Sequence, residues 1–331
     1  METTMTIDTA TANAALERAA RLSGLAPSIH NTQPWHWRIA AGHADLHADL
    51  ARQLAVNDPD RRMLTISCGG ALAHLMVGLD AAGCGYDVAV MPNPDDDTHL
   101  ARVTVTVRQE VRPEAARRAQ TAEIRQTDRR PLLDQPLPGS VLDMLRSEAA
   151  RFQVGLDPLD RDQTIALASA IARAQHDQVT SPDSRAELDA WSGAGRPPFA
   201  GVPDPNILDR PAETTVPSRD FGHVGTLPVD DTHDAGATYA ILYGMDDEPA
   251  SWLRAGEALS ALWLAATEHG VAVLPLSAAA EEPMTRGELR RILAGVGYPY
   301  IAVRLGVADD SQPMPPHTPR LKPDVTIEVL D

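Results

Sequence analysis

The chain has 331 residues, 43% of them hydrophobic, enough apolar material for two domains or one large duplicated one. Its formal charge of -17, from 46 acidic against 29 basic residues, argues against nucleic acid or an anionic membrane as main partner, because both need a basic surface. In so acidic a chain any arginine cluster must be local and purposeful; that Lys322 is the only lysine is a compositional feature and not a mechanism.

Residues 10–25 read as an amphipathic helix, with Ala15, Ala19, Leu22 and Leu25 near helical spacing. It runs into APSIHNTQPWHW, residues 26–37, which is too specialised for an ordinary connection. Asn31 and Gln33 each carry a donor and an acceptor, which suits the edge of a planar heterocycle. Trp35 and Trp37 then alternate with His36 and Arg38, a period of two that opens a strand with both indoles on one face. His43 and His47, four apart in the next strand, stand about 13 Å from one another at roughly 3.3 Å per residue, so no metal site is expected there.

Residues 68–83 read as an apolar helix, followed by a strand, an acidic turn at 93–97 and a second strand. The turn lacks the ligand spacing of a calcium loop. Cys68 and Cys84 are the only cysteines and are read as reduced, buried thiols. No run approaches the roughly 20 apolar residues of a spanning helix and no leader pattern is seen, so a soluble, cytoplasmic protein without membrane association is expected.

A second unit repeats the plan. Residues 114–124 and 141–152 read as helices, and GEALSALWLAATEHG at 256–270 overlays GGALAHLMVGLDAAG at 69–83, matching both end glycines, the alanines and two leucines. Each is followed by an apolar strand. The expected division is residues 1–110 and 111–331. The earlier helix ends, at Ala20 and Ala150, are 130 positions apart and Gly69 and Gly256 are 187 apart, so the second unit carries about 57 additional residues. They lie at about 181–236, where eight prolines and six glycines erase hydrophobic periodicity. Trp191, Phe199 and Phe221 in that stretch favour a lid over a disordered linker.

RQTDRR places Arg125, Thr127 and Arg129 at alternate positions, so an extended backbone points all three one way. Two guanidiniums flanking a hydroxyl make a phosphate clamp, against the plainer reading of a solvated charge run. Arg320 lies in a proline-bounded segment near the C-terminus, and no strand is followed by a G-x-G-x-x-G turn opening a helix.

The SxxNxQPW motif at 28–35, the R-x-T-x-R motif, the helix from Gly256 with VAVLPLSAAA after it, and PRLKP at 319–323 together resemble the FMN-dependent nitroreductase family. The duplicated layout and insertion are similar to its Acg-type members. The resemblance implies an α+β fold, a three-layer sandwich in which two tandem units of one chain mimic the family's homodimer, giving a monomeric pseudo-dimer. It implies FMN as cofactor and NAD(P)H as reductant, with ping-pong hydride transfer to a small-molecule acceptor such as a nitroaromatic or quinone. Arg125 and Thr127, with Arg320, resemble the phosphate-holding residues, and Arg129 the basic residue near the ribityl chain and pyrimidine edge. Pro275, Leu276, Ser277 and Ala278 match the segment whose backbone reaches the flavin N5, with the Ser277 N–H nearest. Pro27, Ser28, Ile29 and Asn31, with Gln33 of the same motif, match the contribution of the opposite subunit. The chemistry would sit on FMN, with no catalytic side chain and no metal. The alternative reading is a flavin-sequestering protein whose insertion occludes the site.

Overall fold

The computed structural model describes residues 5–229, 233–309 and 311–330. Residues 230–232, part of the expected insertion, lie outside the described residues. In chain order the elements are β1 (Met5–Thr6), α1 (Thr9–Ser23), β2 (Trp35–Ala40), β3 (His43–Ala48), α2 (Arg62–Ala81), β4 (Cys84–Val90), β5 (His99–Arg108), α3 (Pro113–Ile124) and α4 (Gly139–Ala150). Then come β6 (Gly155–Pro158), α5 (Arg161–Thr180), α6 (Pro182–Ala190), β7 (Thr238–Gly244), α7 (Pro249–Glu268), β8 (Val271–Leu276), α8 (Ala278–Glu281), α9 (Pro283–Ile292), β9 (Tyr298–Val307), α10 (Pro323–Thr326) and β10 (Ile327–Val329).

Two sheets flank a helical layer, which makes the α+β sandwich expected from the sequence. The first sheet runs β1-β5-β3-β2-β10 with β4 also pairing β5; the second runs β6-β7-β9-β8. The order β4-β5-β3-β2 in one therefore corresponds to β8-β9-β7-β6 in the other, all antiparallel. The C-terminal strand β10 departs from the sequence division: it leaves residues 111–331 and adds in parallel to β2 of the first sheet, Trp37 opposite Ile327.

The central helices α2 and α7 serve both sides. Met63 and Ile66 of α2 join the core under the second sheet, while Leu253 of α7 joins the core under the first. Burial of these apolar side chains is the main force holding the layers together. By length and apolarity α2 is the one helix among the described residues that could cross a membrane, yet most of it is buried inside this protein. It begins at Arg62, six residues before the sequence pattern suggests, because Asp58 accepts hydrogen bonds from the N–H groups of Met63 at 3.0 Å and Leu64 at 2.9 Å. Buried Arg62 donates to Asp247 and to the Pro299 carbonyl and lies over Trp252 and Tyr300, which anchors α2 to the second half of the chain.

The β2–β3 hairpin turns through Ala41 and Gly42, both with positive φ. Its counterpart, β6 to β7, is joined by α5, α6 and the proline-rich stretch. The additional chain thus begins at α5, earlier than residue 181. Leu167, Ala170, Ile171 and Ala174 give α5 an ordinary buried face, which conceals it within a regular helical pattern. The proline-rich stretch itself holds only the nine-residue α6 and two single-turn 3-10 helices among its described residues. Leu188, Val202, Ile207 and Phe221 form its own small core.

Candidate functional site

The turn after α1 is held in an unusual backbone. His30, Asn31 and Gln33 have φ of 43, 55 and 53°, in the left-handed region that costs roughly 1 to 3 kcal/mol for residues other than glycine. Hydroxyls stabilise it: Ser28 accepts from the Gln33 N–H at 3.0 Å, and Ser67 of α2 from the Ile29 N–H at 3.0 Å. Beyond Pro34, Trp35 and Trp37 are fully buried on one face of β2, and the Trp37 indole donates to Ser23 at 2.8 Å.

Twelve of the thirteen residues singled out from the sequence line one cavity between the two halves of the chain. Pro27, Ser28, Ile29 and Asn31 come from this turn; Arg125, Thr127 and Arg129 from the segment after α3; Pro275, Leu276, Ser277 and Ala278 from the end of β8; and Arg320 from the C-terminal segment. Gln33 does not line it. Its amide donates to the Phe199 carbonyl at 3.0 Å and its oxygen accepts from the Leu321 N–H at 2.8 Å, so it ties the insertion to the C-terminal segment. The Asn31 amide is likewise spent within the protein, donating to the Gly201 and Pro319 carbonyls while its oxygen accepts from Arg320. A polar carboxamide pattern in sequence cannot distinguish a ligand edge from a chain-to-chain splice.

The R-x-T-x-R backbone is not a strand, but its alternation largely holds. Asp128 and Arg130 turn away and pair at 2.6 Å, both buried. Arg304 of β9, ion-paired with Asp234 at 2.7 Å, donates to the Arg130 carbonyl at 2.7 Å and fixes the segment from behind. Gln126 breaks the pattern and also faces the cavity.

At one end Arg125 and Arg320 both donate to the Leu25 carbonyl, at 3.2 and 3.4 Å, and Arg125 lies 4.5 Å over the Trp263 ring. No carboxylate lies within ion-pair distance of Arg125, Arg129 or Arg320 among the described residues. Nε and Nη1 of Arg125, Nε of Arg320 and Oε1 of Gln126 are buried with no protein partner. Burial, together with the Arg320 charge, pushes the Arg125 pKa down to about 9, and burial takes Arg320 to about 10, so both remain cations at neutral pH. Unpaired buried donors of this kind are costly unless an anion meets them.

At the other end the insertion contributes Val202, Asn206, Arg219 and Phe221. Arg219 donates to Ser277 Oγ at 3.1 Å and to Gln178 at 2.7 Å and pairs with buried Glu281, which also accepts from Gln178 at 2.6 Å. Burial, the largest single influence, raises the Glu281 pKa, but the Arg219 charge and the hydrogen bonds from Ser277 and Arg219, acting together with the other nearby charge, outweigh it and the carboxyl stays below its usual range. Arg129 lies 5.3 Å over Phe221 and donates to the Asn206 carbonyl at 3.1 Å. Of the expected aromatics Phe221 is buried at the cavity; Trp191 and Phe199 do not line it, and Phe199 is half exposed. Sequence reading missed Arg219, Glu281, Gln178 and His30. Arg219 and Gln178 carry no motif, and the two acidic residues after VAVLPLSAAA were the one available signal for Glu281.

A cavity with convergent arginines at one end and a short strand-to-helix segment at the other, set between two antiparallel sheets, defines a binder of an anionic, partly planar ligand. The comparisons with known proteins give that class a family. No protein-family model matches the chain. A Mycobacterium tuberculosis H37Rv protein named "Putative NAD(P)H nitroreductase Rv3131" is 37% identical over 92% of this chain and 88% of its own length. The M. tuberculosis "Putative NAD(P)H nitroreductase acg" is 32% identical over 97% of this chain and 98% of its own. At that identity and coverage, the chain belongs to the NAD(P)H nitroreductase family. Among solved structures, the FMN-dependent nitroreductase NfnB of Mycobacterium smegmatis in complex with NADPH has a TM-score of 0.40 at 16% identity, covering 64% of this chain and 97% of that one. A Bacteroides fragilis nitroreductase with bound FMN has a TM-score of 0.39 at 15% identity, covering 62% and 94%. Likeness at that level transfers no residue role.

Proposed function

We propose that this protein is an FMN-dependent NAD(P)H oxidoreductase that passes electrons by a ping-pong route to a nitroaromatic, quinone or similar small acceptor. The observation that carries the reading is the pair of buried arginines Arg125 and Arg320, neither with a carboxylate partner among the described residues and both with unpaired N–H groups, at one end of a cavity whose other end is residues 275–278. A phosphate meets Arg125, Arg320 and the Thr127 hydroxyl with charge-assisted hydrogen bonds. Trp263 and Leu276 offer apolar walls for a planar ring system, and the backbone of Ser277 offers a donor at the ring edge. Bound FMN supplies the hydride chemistry; the protein binds, orients and shields it. Arg129 on the ring side favours an anionic reduced ring by opposite charge.

The same reading takes residues 1–110 and 111–331 as a fused pair standing in for a homodimer. The shared strand order of the two sheets and the packing of α2 on α7 support it. It also takes the insertion as a lid, supported by Arg219, Phe221, Val202 and Asn206 at the cavity wall. One specific observation favours a second reading, flavin sequestration with little turnover: Arg219 bonds across to Ser277 and Glu281, so the insertion is fastened at the segment where hydride would pass.

The absorption spectrum of the purified protein tests the cofactor, and anaerobic addition of NAD(P)H tests the enzyme. Flavin bands that bleach with NAD(P)H and return with menadione are expected. A colourless protein that takes up no FMN overturns the reading, and a yellow protein that NAD(P)H does not bleach leaves sequestration.

A further inference from the structure

His30 is a buried side chain that the site described above leaves without employment. It is only 9% exposed and lines the cavity, and no hydrogen bond to its ring is found among the described residues. Unlike the other buried histidine without a ring partner, His74, it stands in the cavity wall. The backbone puts it there at a cost, since φ of 43° is unfavourable for histidine and the neighbouring Asn31, at 55°, is held by carbonyls of the insertion and the C-terminal segment. The ring meets Phe221 edge-on, with centroids 5.9 Å apart and planes at 75°.

Two further observations say which ligand it meets. The charges that act on His30 are those of Arg219, Glu281 and Arg129. The first two are the pair bonded at Ser277, so His30 stands at the insertion end of the cavity and not among the phosphate-binding arginines. Burial and the Arg219 charge push its pKa down to about 3, so the imidazole is neutral, with one N–H donor and one acceptor nitrogen. Arg219 is offset there by Glu281, which leaves the single guanidinium of Arg129 at that end against the two of Arg125 and Arg320 at the other. A neutral donor beside an aromatic edge suits an uncharged, planar molecule bearing oxygen.

We propose that His30 is the acceptor-binding residue, donating a hydrogen bond to an oxygen of a neutral quinone or nitroaromatic held at the insertion end of the cavity. This rests on the FMN reading above. No bond is made or broken by His30 itself; it holds the acceptor's oxygen while the cofactor supplies the electrons.

The test uses the full-length FMN-loaded protein and menadione. In the oxidised protein, without reductant, menadione binds but does not react, so its dissociation constant follows from perturbation of the flavin spectrum. His30→Ala should raise that constant about tenfold, the scale of one buried hydrogen bond, and His30→Gln, which keeps an N–H donor, should recover part of it. Stopped-flow reoxidation of the reduced protein by menadione should slow in parallel, while reduction by NADPH keeps its wild-type rate. A menadione constant within twofold of wild type in His30→Ala, with flavin retained, overturns the proposal. So does equal slowing of reduction by NADPH, which assigns His30 to the nicotinamide. A His30→Ala protein that no longer holds flavin overturns it too, by placing His30 in the cofactor's own frame. Wild-type protein that holds no flavin fails earlier and overturns the FMN reading itself.

Discussion

Gly69 and Gly256 face one another where α2 crosses α7, each pressed against a carbonyl of the other helix. A methyl group on Gly69 would lie 2.0 Å from the Leu253 oxygen, and one on Gly256 would lie 1.9 Å from the Ile66 oxygen. The contact is reciprocal, because Leu253 precedes Gly256 by three residues as Ile66 precedes Gly69. Only glycine permits this approach. Gly69→Ala or Gly256→Ala should therefore lower stability by at least about 1 to 3 kcal/mol through overpacking. The double variant should cost less than the sum, since one separation of the helices relieves both clashes. Urea denaturation measures all three, and single variants within about 0.5 kcal/mol of wild type would contradict the close packing.

Arg125 gives a prediction in which binding and stability move in opposite directions. It is buried beside Arg320 with Nε and Nη1 unpaired, so without an anion it is a liability to the fold. Arg125→Met should leave the flavin-free protein as stable or more so, while weakening FMN by about 1.5 to 3 kcal/mol for a lost charge-assisted contact. Thermal unfolding with and without FMN reads both quantities. Full flavin occupancy after dialysis of the variant would remove Arg125 from the phosphate site.

The legible part of this site was the part with periodic or paired chemistry. Arg125, Thr127 and Arg129 could be read because an alternating backbone puts them on one side, and the two matched glycine helices could be read because close packing demands glycine at fixed offsets. Gln33, expected at the ligand, lies off the cavity, because a carboxamide that splices Phe199 to Leu321 looks, in sequence, like one that reads a heterocycle. Arg219 and Glu281 were invisible for a different reason. Their pairing spans 62 positions, from an aperiodic insertion to the helix after β8, and no local pattern encodes it. Helix α5 escaped as added chain because its buried face follows ordinary helical spacing.

Glu257 carries a prediction about stoichiometry and pH. It follows Gly256 as Gly70 follows Gly69, yet Gly70 lines the cavity while Glu257 is a buried carboxyl that does not. The corresponding positions on the two helices are thus open on one side and filled on the other, which supports one flavin per chain and a monomer. Flavin quantification with light scattering decides this, and two flavins per chain would sink it. Burial raises the Glu257 pKa from 4.5 to about 8, with Arg254 opposing only in part. The folded state therefore binds the proton more tightly than the unfolded state, and stability falls as pH rises from about 4.5 to about 8. Glu257→Gln should flatten that slope and be the more stable protein above pH 8, by roughly 1 to 3 kcal/mol. An unchanged slope in denaturation measured across that range would show that Glu257 is not its source.

The last prediction concerns the insertion as a cover. Its prolines and glycines deny it a long helix or central strand, so its position depends on a few contacts to the rest of the chain. Three are specific: Asn31 and Gln33 hold the Gly201 and Phe199 carbonyls, Arg129 grips the Asn206 carbonyl and the Phe221 face, and Arg219 reaches Ser277 and Glu281. The third is the strongest fastening, because it joins buried charges in a low-dielectric setting where removing one partner strands the other. Arg219→Ala leaves Glu281 uncompensated and should release this end of the insertion, whereas Arg219→Ala with Glu281→Gln removes the stranded charge and isolates the loss of the fastening. If the insertion gates the cavity, the double variant should release FMN faster and be reoxidised faster by a bulky acceptor, with more rapid proteolysis between residues 196 and 229. Stopped-flow reoxidation and fluorescence of released FMN measure the first two. A double variant that folds, keeps FMN and shows wild-type rates in both half-reactions, with unaltered proteolysis, would establish that the insertion is a fixed wall and not a lid.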